Sequence, residues 1–120
     1  IDIWVMPSPQ NADAVLRALL RFGAPLHNLT KEDLQRDGTV FQIGVAPRRI
    51  DIITAASGLR FEETFQKSLS VNIEGIVVHV PSIDDLIFNK KASGRTKDLA
   101  DAEALESLKN SEPPNQPDRG

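Results

Sequence analysis

An alternating α/β fold is predicted for this chain by three observations. Short β-branched runs recur at 1–5, 39–46, 48–55 and 70–81, stretches with helical spacing fall between and after them, and Gly, Pro and Asn mark the boundaries. At 120 residues and 40% hydrophobic composition, the chain is long enough for one core and short for two domains of ordinary size. A single domain over 1–110 is therefore expected.

The first run, "IDIWV", sets Ile1, Ile3 and Val5 on one face and Asp2 and Trp4 on the other, the alternation of a strand with one packed side. It stops at Pro7 and Pro9. Asn11 is expected to cap a helix over 11–22, with Val15, Leu16, Leu19, Leu20 and Phe22 at helical spacing and Gly23 suited to a left-handed C-terminal cap. Thr30, with Asp33 three residues on, has the pattern of a capping box and predicts a short helix. "TVFQIGVA" and "RRIDIITA" read as adjacent, central strands joined tightly through Pro47.

After Gly58, "LRFEETFQKSL" places Leu59, Phe61, Phe65 and Leu69 about one turn apart, as an amphipathic helix would. "SVNIEGIVVHVP" predicts two strands about a Glu74–Gly75 turn. Ser82 and Asp85 open a capped helix, and Thr96 is expected to cap a second one after Gly94. The three prolines and scarce apolar residues of "SEPPNQPDRG" (111–120) predict a disordered tail.

A net charge of −3 supplies no broad basic field, so nucleic acid is not an expected partner. Without Cys there is neither a disulfide framework, a thiolate nucleophile nor a Cys-ligated zinc, and a cytoplasmic location is expected. No signal-peptide pattern and no run of about 18 apolar residues is present, which argues against secretion and membrane spanning.

Asp2 and Asp51 each stand in an apolar-Asp-apolar strand context. Carboxylates converging from adjacent strands are what metal-assisted nucleotidyl transfer requires, because Mg²⁺ takes hard oxygen donors. A solvent-facing Asp on a half-buried sheet produces the same pattern. The segment "NKKASGRTKDLADAEAL" (89–105) gathers Lys90, Lys91, Arg95 and Lys97 around a helix break. On spacing alone it is a solvated helix–turn–helix with pairs such as Lys97–Asp101, or a place where a helix N-terminus meets a triphosphate. His27 and His79 do not make a metal pair, and His79 reads as a strand residue on the solvated side. Trp4 shares a face with Asp2, where it can stack on a base or fill a contact between copies. Ser57-Gly58 reads as a turn.

The runs "FQIGVAPRRIDIITAASGLRFEETF" and "GIVVHVPSIDDLIFNKKASGRTKDLADAEAL" resemble nucleotidyltransferase-like proteins related to the AbiEii toxins of toxin–antitoxin systems, over about residues 1–108. The resemblance implies a mixed β-sheet flanked by helices. It makes Asp2 the second member of an Asp pair and Asp51 the third carboxylate, both catalytic and metal-ligating. Lys90, Arg95 and Lys97 then face the nucleotide, with Asp98 and Asp101 anchoring the turn and helix start. Mg²⁺ and an NTP are the implied cofactors.

The family's preceding helix and strand, small-residue phosphate turn and first Asp are not in this sequence, which opens one residue before Asp2. The expectation is a truncated or degenerate nucleotidyltransferase-like domain, inactive alone, with a binding or assembly role. It would form a homo-oligomer through an exposed sheet edge and helix faces, or bind a protein partner. The alternatives are an active transferase completed by an upstream segment or a second chain, and an antitoxin-like scaffold.

Overall fold

In the computed structural model, residues 1–111 are described; they fall into two compact units, 1–56 and the residues from 57 on, each taken by itself below. The predicted tail lies outside the described residues except for Ser111, which ends a helix.

The first unit is built on strands β1 (Asp2–Trp4), β2 (Val40–Ile43) and β3 (Ile50–Ile53), in the order β1-β3-β2. β3 runs parallel to β1 and antiparallel to β2, so the sheet is mixed. Of the two strands expected at its centre, only β3 is central; β2 is an edge strand. Between β1 and β2 the chain forms α1 (Pro9–Phe22) and α2 (Lys31–Gln35). Ala12, Leu19, Leu34 and Ile52 make the buried core, and Val15, Leu16, Phe41, Ile43 and Ile50 pack against it. Period two along β2 and β3 puts Phe41, Ile43, Ile50 and Ile52 on this one covered face.

The N-cap of α1 is Ser8 rather than Asn11. Pro9 lacks an N–H and has a φ preset for the first helical position, so the helix starts two residues earlier than its apolar spacing indicates. Ser8 Oγ accepts from the Asn11 N–H at 3.2 Å, and Asn11 Nδ2 donates to the Met6 carbonyl at 3.0 Å. Gly23 closes the helix at φ 85°. The capping box of α2 is present in both directions: Thr30 Oγ1 accepts from the Asp33 N–H and Asp33 Oδ2 from the Thr30 N–H. Buried Thr54 ties the far end of the sheet to α2's exit, its hydroxyl accepting from the Thr39 N–H at 2.8 Å and donating to the Arg36 carbonyl at 2.7 Å.

The second unit comprises α3 (Phe61–Gln66), a hairpin of β4 (Leu69–Ile73) and β5 (Ile76–Val80), α4 (Ile83–Ser93) and α5 (Thr96–Ser111). α3 is shorter than the spacing of 59–69 implies, because Leu69 is taken into β4. The hairpin turn puts Glu74 at φ 52° and Gly75 at φ 85°, the two left-handed residues a two-residue connection needs. Ser82 caps α4 through the Asp85 N–H. The reciprocal half of a capping box is missing, since Asp85 Oδ1 accepts instead from Lys67 Nζ at 3.2 Å. Thr96 is the first residue of α5 and not its cap.

α4 and α5 are tied by Lys91–Glu106 at 3.2 Å and by Lys109–Asp84, and Ala102 of α5 is buried at 1% exposed. No helix among the described residues is long and apolar enough to cross a membrane.

Leu34 is fully enclosed, so Leu34→Ala is expected to lower stability by about 2–5 kcal/mol in urea unfolding. Gly58 has φ +78°, and a Cβ there would stand 2.7 Å from Phe88 Cε1 and 2.8 Å from Ala92 Cβ. Gly58→Ala is expected to cost roughly 1–3 kcal/mol in the same measurement, with the loss reduced in Gly58→Ala/Phe88→Leu, which removes part of the clash.

Candidate functional site

β1 and β3 pair in the register Asp2↔Asp51, Ile3↔Ile52, Trp4↔Ile53, while β2 sets Gln42 opposite Asp51. Residues level with one another on neighbouring strands share a face, so Asp2, Asp51 and Gln42 form one row across the sheet, opposite the helix-covered side. Adjacent strands lie about 4.8 Å apart, which brings the two aspartates within reach of a shared cation. Trp4, Ile53 and Val40 form the next row on that face.

The two carboxylates have different surroundings. Asp2 is exposed, whereas the Asp51 side chain is 13% exposed. Asp51 is held by Arg49: Nη2 donates to Oδ2 at 3.3 Å, and Nε lies 3.0 Å from Oδ1 as an ion pair without hydrogen-bond alignment. Buried Oδ1 thus keeps acceptor capacity that the guanidinium does not satisfy. Arg49 did not emerge from the sequence as a site residue, although its position two before Asp51 is the period that brings side chains to one face of a strand.

The predicted cation cluster belongs to the second unit and centres on Asp98, in the first turn of α5 and 3% exposed. Arg95 Nε donates to its Oδ2 at 2.6 Å, and Lys90 Nζ lies 3.7 Å from its Oδ1. Lys90 also pairs with Asp101 at 3.7 Å, which replaces the Lys97–Asp101 pair expected from spacing. Lys97 makes no ion pair among the described residues, and its charge acts on Asp98 at longer range. The hydrogen bond from Arg95, reinforced by the charges of Arg95, Lys90 and Lys97, holds the Asp98 carboxyl below its usual range against the opposing effect of burial.

A groove of about 360 Å³ in the second unit is lined by Gly58, Arg60, Thr64, Lys67, Asp85 and Phe88, among others. The Asp85 carboxylate at its side is anchored to Lys67, and its Oδ2 is buried without a hydrogen-bond partner. His79 is exposed on β5 as expected, its ring 4.5 Å from that of Phe65 and its Nδ1 3.3 Å from Ser68 Oγ. His27 is likewise exposed, and Ser57-Gly58 is a turn. Among the described residues no group of three or more His, Cys, Asp or Glu is arranged to hold a metal.

Comparison of the chain with known protein families, characterised proteins and solved structures finds no match.

Because the folded-state pKa of Asp98 is lowered, its contribution to stability is present above the unfolded carboxylate pKa and is lost as pH falls through the folded value. Thermal unfolding between pH 7 and 2 is expected to lose stability below about pH 4 more steeply in the native chain than in Asp98→Asn.

Proposed function

We propose that the first unit carries a nucleotidyltransferase-like carboxylate site that binds a Mg²⁺–nucleoside triphosphate, and that the chain acts by binding or assembly rather than as a complete two-metal catalyst. The observation that supports this reading is the register that sets Asp2 beside Asp51 on one face of the sheet. Two adjacent carboxylates are a fitting donor set for Mg²⁺, which takes oxygen ligands and keeps several waters. Asp2 and Asp51 would hold the ion, whose chemistry is to neutralise the triphosphate and polarise a phosphoryl oxygen.

Arg49 has a second role in this reading. A guanidinium paired with a carboxylate presents the fork that also fits phosphate, so Arg49 is placed to exchange Asp51 for a phosphate oxygen. Trp4 lies one row along the same face and suits stacking on a base. Lys90 and Arg95, which the resemblance set on the nucleotide, serve the α4–α5 turn of the second unit through Asp98.

The test is thermal unfolding with and without Mg²⁺ and each NTP, on the native chain, Asp2→Asn and Asp51→Asn. A ligand at 100 times its Kd adds about 2.7 kcal/mol of stability, several degrees in Tm for a domain this small. A Mg²⁺-dependent rise in the native chain that both variants lose is expected. An unchanged Tm in a folded native chain would rule the site out and direct attention to protein partners.

A further inference from the structure

The β4–β5 hairpin pairs Leu69 with Val80, Val71 with Val78 and Ile73 with Ile76. Directly opposed residues share a face, so these six aliphatic side chains make one face of the ribbon with no polar group on it. The other face carries Ser70, Asn72, Val77 and His79, and it is there that α3 contributes Phe65 against the His79 ring. The aliphatic face is partly open: Leu69 is 61% exposed, Ile73 52% and Ile76 67%, the central Val71 and Val78 40% and 37%, and Val80 is half-buried. An isolated two-stranded ribbon is marginal in water unless its apolar face is covered.

We infer that this face is the interface of a two-fold dimer, in which the hairpins of two copies stack as a small sandwich. Three features single out a second copy as the occupant. The three rows run Leu/Val, Val/Val and Ile/Ile, so a two-fold axis lying along the central Val71–Val78 row sets those valines against themselves and the Leu69–Val80 row against the partner's Ile73–Ile76 row. The face therefore meets itself row for row, aliphatic side chain against aliphatic side chain, with no polar group opposed. It has no charge with which to select a charged partner, and Glu74 at the hairpin tip opposes insertion of the tip into a membrane. The exposed area of these six residues is at most roughly 500 Å² per copy, so pairing removes up to about 1,000 Å², the lower end of what a specific interface needs. An interface of this size belongs to the weak, transient class. The inference is independent of the carboxylate site.

The chain has no Cys, so single cysteines report on the interface without background. In sedimentation velocity from about 1 to 200 µM, the native chain is expected to move from monomer to dimer, and Val71→Lys and Val78→Lys to remain monomeric with unchanged far-UV circular dichroism. Val71→Cys is expected to cross-link to its own copy with a short bismaleimide, and Ser70→Cys, on the opposite face, is not. A native chain that stays monomeric throughout overturns the inference. So does a dimer that survives both lysine variants, or one in which Ser70→Cys cross-links as readily as Val71→Cys.

Discussion

The alternation along β3 is the constraint on which the first unit depends. Ile50 and Ile52 face the two helices, and Ile52 is buried with Leu34 and Leu19, so the strand cannot slip by one residue without moving its aliphatic side chains away from the core. The same register delivers Asp51 to the opposite face beside Asp2. Packing energy on one side of the sheet thereby sets the placement of charge on the other. Arg49, two residues before Asp51, offsets the cost of holding a carboxylate at low exposure.

The second unit is held differently. Among the described residues its one buried apolar side chain is Ala102, and its other buried residues, Thr64, Asp85 and Asp98, are polar or charged. The α4–α5 pair is organised by a buried carboxylate at a helix start, where the helix dipole favours negative charge and two cations converge on it. A lysine or arginine engaged in this way has an interaction to lose before it meets a phosphate. The density of positive charge in 89–105 is thus first a folding device, and Lys97 is its exception.

Local signals carried much of the secondary structure. The Thr30 capping box, Gly23 at the end of α1, Ser82 at the start of α4 and the Glu74–Gly75 turn each depend on residues within a few positions of one another, so the chain states them directly. Asn11 yielded to Ser8 because Pro9 was a stronger determinant of the helix start than the apolar spacing that followed. The expected helix over 59–69 was cut short because Leu69 gains a cross-strand partner in Val80, a contact that helical periodicity does not register.

The sequence by itself determined that this is an alternating α/β chain, that Asp2 and Asp51 share a strand context, and where most caps and turns fall, since these follow from near neighbours and from side-chain period. Only tertiary structure decided that the two aspartates are level with each other, that Arg49 holds one of them, that Lys90 pairs with Asp98 and Asp101 rather than standing free, and that six aliphatic side chains share one partly open ribbon face. Each of these depends on strand register or helix crossing. Such contacts join residues distant along the chain, and their energies are settled only when the elements pack.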